Sequence, residues 1–535
     1  MKANRFYGAM AAWCVGFLFL APGLWAQEAA APGHVGVPQD WSEHSIVFSL
    51  GGLAQHPNLI DQEPRVQHQL MQRLQVPNSN FFRGVDGGAD SASHDRDWSF
   101  NLVRGHVAAN MYPAKFSFDP GAPPSCTNDY VVYGLNVTGG TGKQANLVAF
   151  NNLYAGTGGL CGATPNVMFA YNITTVTGSK IGLSPIISLD GTKIAFVESA
   201  ATSSIFHVLT WTAGQGTITA AAAPTMTSLT YSPSATSTTS SPWIDYKNDT
   251  VYVGADGGVM YKITGVFHGT PTLAGAPWPI TVTSGHHLSP PVLDSELGML
   301  MVGSATGNLY QINTTSGALA VLPIGKHGAV GTAVVAPPLI DLTNGTTFVT
   351  SANDGTSAVL VEVDTNSLAQ LAKARIGEGS SGGTPLVIPQ PALSNEYYLG
   401  HPDGVIRLCG TGALDTTPWQ YAFGFTGRTM NIAPVFSAQL VNAAASCTGW
   451  TEFYNPNISG GTDFFFFGLT ANCVGASGCV VERTTDIAPL VTAAVAGGPS
   501  GIVVDNYSTA VQASSIYLSA EGATTAYKFT QNGLN

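Results

Sequence analysis

Apolar and polar positions along most of this chain alternate in short bursts separated by turns rich in Gly, Asn, Asp and Ser. Period two over short runs marks strands, because successive strand side chains face opposite ways. Three segments share one grammar: SPWIDYKNDTVYVGADGGVMYKITG from Ser241, SPPVLDSELGMLMVGSATGNLYQINTTSGAL from Ser289, and APPLIDLTNGTTFVTSANDGTSAVLVEVDTNSL from Ala336. Each opens with a Pro-led strand, turns at an Asp, runs through a second apolar strand, turns at Gly and ends in an alternating third strand. More distant copies begin at Pro185, Pro385 and Pro434. The motif prolines therefore fall at 185, 242, 290, 337, 385 and 434, with gaps of 57, 48, 47, 48 and 49 residues. Degenerate copies at Pro113 (YPAKFSFD) and Ser500 (SGIVVDN) bring the units to eight.

Units of this size with three or four strands predict propeller blades. Candidate fourth strands are VMFAYNI from Val167, WPITVT from Trp278, LAKARIG from Leu371 and WQYAFGF from Trp419. The last unit has no fourth strand before Asn535, whereas WSFNLV, from Trp98, is spare. Trp98 precedes Pro113 by 15 residues, as Trp419 precedes Pro434. The expectation is an all-β fold: a single propeller over 98–535, with eight blades, closed by the N-terminal strand completing the last blade. Seven blades result if the first or last unit folds into its neighbour. Closure of this kind removes an open sheet edge.

Ahead of the ring the pattern changes. Lys2 and Arg5, an apolar run from about Ala9 to Leu20, then Pro22-Gly23 and Ala26 predict an export signal over 1–26. Residues 27–97 read as an N-terminal extension with a strand at Ser45–Phe48 and a helix from Glu63 to Gln75, where Val66, Leu70 and Leu74 share a face. The Ala-, Thr- and Ser-rich stretch from Thr217 to Ser241 reads as a long blade connection.

The units GSATGNLYQINTTSGAL and GADGGVMYKITG resemble the repeats of quinoprotein-like (PQQ-repeat) propellers, and SPIISLDGTKIAFVES is similar to the WD40-like repeat of TolB-type propellers. YPAKFSF, CTNDYVVYGLN, QANLVAFNNLY and SGIVVDN resemble a group of exported bacterial propeller proteins. The resemblance implies a fold and brings no activity with it. Quinoprotein dehydrogenases of this superfamily carry a vicinal Cys-Cys pair and a Trp that ends the repeat. This chain has no Cys-Cys pair, and Leu319 follows Ser316-Gly317-Ala318. No cofactor is expected.

Composition narrows the partners. Without Lys2 and Arg5 the 20 basic residues become 18, against 32 acidic, a formal charge of −14. Such a surface repels phosphate backbones, so nucleic acid is excluded as a partner. The mature chain has no transmembrane segment and is expected outside the cytoplasm, secreted, periplasmic or at the cell surface. Once Cys14 leaves with the signal, Cys126, Cys161, Cys409, Cys447, Cys473 and Cys479 remain, an even set that suggests disulfides with 15 possible pairings. Proximity in the repeat scheme pairs Cys126 with Cys161, Cys409 with Cys447, and Cys473 with Cys479.

Catalytic motifs are sparse. Gly498-Pro499-Ser500-Gly501 has the wrong spacing for a nucleophile elbow. Asp190, Asp245, Asp294 and Asp341 recur at one place in successive units, which predicts an acceptor for turn N–H groups rather than a catalytic pair. Asn353-Asp354-Gly355-Thr356 and Asp86–Asp90 read as turns. Loops joining each blade's outer strand to the next inner strand open on one face, and they carry His106, Lys180, His286, His287, His327, Glu378 and Arg428. These residues are the candidate ligand-binding set; no catalytic or metal residue is assigned. The expected function is a binding or scaffold module for a protein, peptide or glycan, without catalysis. The alternative is a divergent hydrolase or quinoprotein-like enzyme with its site at the funnel.

Overall fold

The computed structural model describes residues 37–73 and 94–531 apart from 119–123, 233–239, 378–387, 412–414, 416, 456–460, 485–489 and 506–514. The export signal, Glu378 and Pro385 lie outside the described residues. The strands form eight sheets arranged as an eight-blade β-propeller. Innermost strands are short and, apart from half-buried Glu452 and Tyr454, buried: Ala114–Ser117 in blade 1, Ile186–Ile187 in blade 2, then Trp243–Asp245, Val292–Asp294, Leu339–Asp341, Ala392–Leu393, Thr451–Asn455 and Val503–Asp505. Prolines 113, 185 and 242, and Pro291 and Pro338 next to the motif prolines 290 and 337, stand directly before five of these strands, a position where the missing N–H costs no ladder bond.

Blade 8 runs Val503–Asp505, Ser515–Ser519, Thr525–Gln531 and then His94–Asn101, so the N-terminal strand closes the ring. Trp98 fastens it. The indole packs between Phe150 and Tyr517, with ring centroids 6.1 and 6.2 Å away, and Nε1–H donates to Leu153 O at 3.1 Å. Burying such a ring contributes roughly 1.5–3 kcal/mol.

Two sequence expectations need correction. Pro434 does not lead an inner strand. Phe436–Gln439 pairs with Trp419–Thr426 as an outer strand of blade 6, and Trp419–Thr426 is that blade's third strand. The physical reason is burial: Phe436–Gln439 alternates half-buried and exposed positions, whereas the true inner strand of blade 7, Thr451–Asn455, starts beside buried Trp450. The Thr217–Ser241 stretch is also not a plain connection. Its described part contains Met226–Ser232, the outer strand of blade 2, and Ala222, with Gln215 just before the stretch, bridges to Tyr171 and Phe169 on the edge of blade 1.

The recurring acids do what their positions suggest. Asp245 Oδ1 accepts from Asn248 N at 3.2 Å, Asp294 Oδ1 from Glu296 N and Leu297 N at 3.0 and 2.9 Å, and Asp341 Oδ1 from Thr343 N and Asn344 N at 2.9 and 3.1 Å. Asp190 caps its turn through Thr192 N at 3.0 Å. Asp354 likewise holds a plain turn through Thr356 N and Ser357 N. The three disulfides are Cys126–Cys161 within blade 1, Cys409–Cys447 between blade 6 and the lead into blade 7, and Cys473–Cys479 at a hairpin tip. No helix among the described residues is long and apolar enough to cross a membrane.

Candidate functional site: the axial channel and the upper loops

Residues 37–73 do not simply precede the ring; they fill its axis. Val37–Gln39 pairs antiparallel with the inner strand of blade 1, and Ile46–Val47 pairs parallel with the inner strand of blade 5, across the ring. Between them Asp40 caps a 3-10 turn, Trp41–Ser45, by accepting from Ser42 N at 2.8 Å. Trp41, Ile46, Phe48, Leu53, Leu59, Val66 and Leu70 belong to one buried cluster with Trp243, Val292, Ile340 and Val503 of the surrounding blades. A polar segment would leave that cluster wet, so the apolar content of residues 41–70 is the local reason the chain threads the channel.

The helix Pro64–Arg73 crosses the lower end, and an arginine anchors each of its ends. Arg65 donates to Glu63 Oε1 at 2.8 Å, Ser42 Oγ at 2.9 and 2.8 Å, and Ile244 O at 3.0 Å, and its guanidinium lies 4.0 Å over Trp243. Arg73 donates to Asn395 Oδ1 and Glu452 Oε2, both at 2.6 Å, and sits 3.4 Å over Tyr398. Asp463 lies beside Glu452; burial, then that neighbouring carboxylate, pushes its carboxyl well up. Glu43 meets His68 in the interior. Burial, then Asp40, raises Glu43, and burial lowers His68 to about 3; both shifts favour the uncharged forms.

A small cavity of about 40 Å³, partly open to solvent, remains between this segment and blades 6 to 8, bordered by Gln39, Glu43, His44, Gln69, Trp450 and Glu452 among others. Gln39 Oε1, His44 Nε2, Gln69 Oε1, Trp450 Nε1 and Glu452 Oε1 find no protein partner. Donors and acceptors converging there suit ordered water. The carboxyl groups are already committed, Glu43 to His68 and Glu452 to Arg73. The strand expected at Ser45–Phe48 and the helix expected from Glu63 are present as Ile46–Val47 and Pro64–Arg73. Their place inside the ring was not foreseen; the available signal was the density of large apolar residues between Trp41 and Leu70.

The upper face is where outer strands lead to the next blade's inner strand. His106, half-buried, lies there after the closing strand and lends its carbonyl to Asn136 N at 2.8 Å. Lys180 is exposed and bridges Ser199 through its backbone. His286 is exposed; His287 holds Asp256 Oδ1 through Nδ1 at 2.7 Å. His327 is exposed on the loop into blade 5. Arg428 is misplaced in the expected set: it occupies the turn between Trp419–Thr426 and Thr429–Met430, on the opposite face, and donates to Asn344 O at 2.9 Å and Asp364 Oδ2 at 3.0 Å. The misplaced Pro434 unit is the cause, since it turned a hairpin into a blade connection. Among the described residues no group of three or more His, Cys, Asp or Glu is arranged to hold a metal ion.

No protein-family model matches this sequence, and no curated protein matches it. Solved structures share the fold. The Dos1 propeller aligns with a TM-score of 0.50 at 10% identity over 82% of this chain and 95% of that chain. Sqt1 of Saccharomyces cerevisiae aligns with a TM-score of 0.51 at 10% identity over 82% of this chain and 99% of that chain. BamB from Moraxella catarrhalis aligns with a TM-score of 0.44 at 11% identity over 82% of this chain and 98% of that chain. At such identity the likeness to Dos1 and Sqt1 is one of fold alone.

Proposed function

We propose that this chain is an exported propeller that works as a binding or scaffold module for a protein, peptide or glycan, and that its partner surface lies on the upper loops. The observation that carries the reading is the filled axis. In a ring with an open channel, converging inner strands supply a pocket; here residues 37–73 occupy that place and pair their charges with Glu452, Asn395 and the backbone of blade 3. Partners are then left the rims, where loops vary without disturbing the blades. His106, Lys180, His286, His287 and His327 are the side chains of that rim, and Glu378 belongs to the same set by its sequence position. Export is supported by the charged and apolar N-terminus and by the three disulfides.

The test begins with elemental analysis and a visible spectrum of the mature protein, followed by glycan-array and peptide-array binding. A His286→Ala/His287→Ala/His327→Ala variant should melt with the wild type and lose at least about tenfold in affinity for the best array ligand, about 1.4 kcal/mol. Unchanged affinity would remove the upper loops from the binding surface. Stoichiometric metal or a quinone-like band would favour the enzyme reading instead.

A further inference from the structure

Three neighbouring strands of blade 2 hold Ser228, His207 and Glu198 in a line across one face of the sheet. His207 stands directly opposite both Ser228 and Phe196, and Glu198 lies two residues beyond Phe196 on the same face. His207 Nδ1 is 2.8 Å from Ser228 Oγ, and His207 Nε2 is 2.8 Å from Glu198 Oε2. The imidazole is fully buried and stacks on Phe196 with centroids 5.3 Å apart, whereas Ser228 is exposed on the outer strand Met226–Ser232.

The surroundings of Glu198 fix the proton positions. Its oxygens accept from Thr175 N at 2.7 Å, Thr175 Oγ1 at 2.5 Å, Val176 N at 3.1 Å and the Ser179 hydroxyl. Burial pushes this carboxyl up, but hydrogen bonds from His207, Ser179 and Thr175 outweigh it and hold it down to about 2. An ionised carboxylate only accepts, so Nε2 carries a hydrogen; in the neutral imidazole Nδ1 then presents its lone pair to the Ser228 hydroxyl. That tautomer is the one a general base needs.

We propose that Ser228 is an activated nucleophile, with His207 as its general base and Glu198 as the positioning carboxylate, and that it takes an acyl group from an ester that reaches the exposed outer strand Met226–Ser232. Ser228 Oγ bonds to the carbonyl carbon while its proton passes to Nδ1. The tetrahedral adduct collapses, the ester C–O bond breaks, and the alkoxide leaves with that proton as an alcohol. Water then adds to the acyl-serine by the same route in reverse, releasing the acid. Neighbouring Thr227 and Thr230 are exposed on the same strand; His207 is opposite Ser228, and Thr230 is opposite Ile205.

A fluorophosphonate probe on the intact mature protein tests this directly, because the same serine attack forms a P–O bond and expels fluoride as the proton leaves through His207. Peptide mass spectrometry should place one adduct on Ser228, and His207→Gln should slow labelling by about 10²-fold or more. A Ser228→Ala/Thr230→Ser variant, which keeps an exposed serine on the same strand without the imidazole, should take no label and guards against misfolding of His207→Gln. Absence of an adduct on Ser228 in the folded wild type, or equal labelling of the T230S control, overturns the proposal.

Discussion

Lys528 Nζ lies 2.5 Å from Asp97 Oδ2, with both side chains shut off from water. Asp97 is the extra residue of a bulge in the closing strand, between Arg96 and Trp98, and Lys528 is on the third strand of blade 8. A second buried pair, Lys115 Nζ to Asp505 Oδ2 at 2.7 Å, joins the inner strands of blades 1 and 8. Both bonds sit at the seam where the two ends of the ring meet.

Breaking the seam should be costly. Asp97→Ala leaves the Lys528 ammonium buried without this carboxylate and should lower unfolding free energy by about 3–5 kcal/mol. The Asp97→Leu/Lys528→Met double variant should lose much less, because no charge is stranded. Urea unfolding of both variants decides it; a loss in Asp97→Ala below about 0.5 kcal/mol would show that the pair contributes little to closure.

The turn acids should differ in weight according to burial. Asp341 is fully buried and accepts from Thr343, Asn344 and the Tyr397 hydroxyl, the last at 2.5 Å, whereas Asp190 is half-buried and serves its own turn. Asp341→Ala should therefore destabilise by about 2–4 kcal/mol and Asp190→Ala by about 1 kcal/mol. Equal losses in thermal or urea unfolding would contradict a role graded by burial.

Stability should decline as pH rises through neutrality. Burial holds the carboxyls of Asp294, Glu362 and Glu521 up to about 7. Unfolded acids titrate near 4, so the folded chain keeps these protons longer; their contribution is complete below about pH 4 and is lost as pH rises through 7. His44 and His68, lowered by burial to about 4 and about 3, work oppositely: their contribution is present above about pH 6.5 and is lost in acid. Above pH 6.5 the acids dominate, so the urea midpoint should fall from pH 6.5 to pH 8. Glu521→Gln, which keeps an acceptor for Asn110 N, should flatten that fall by at most about 1.4 kcal/mol per pH unit. A midpoint that rises over this range would contradict the assignment.

How much was legible follows from what repeats. Strand alternation and the Asp turns at Asp245, Asp294 and Asp341 recur, so the blades and their turn chemistry could be read from the chain, and the spare WSFNLV strand followed from counting. Pro434 misled because proline spacing is not itself a constraint, whereas burial of an inner strand is. The position of the axial segment was hidden for another reason. Its strand at Ser45–Phe48 and its helix from Glu63 could be read, but Val37–Gln39 is too short to show a period, and the strand partners, near Ser117 and Ile340, are remote in sequence. The Ser228–His207–Glu198 line depends on the register of three strands, which no one-dimensional pattern carries.

The filled axis is the claim on which the location of the partner surface depends, and one cleavage tests it. A specific protease site placed between Arg73 and His94 should be cut without loss of structure, and the fragment carrying residues 37–73 should stay with the ring through gel filtration. It should leave only when the blades unfold in urea, in a single transition. Release of that fragment from a propeller that keeps its secondary structure and unfolding midpoint would mean that the channel is open to other occupants, and the binding surface would have to be sought there.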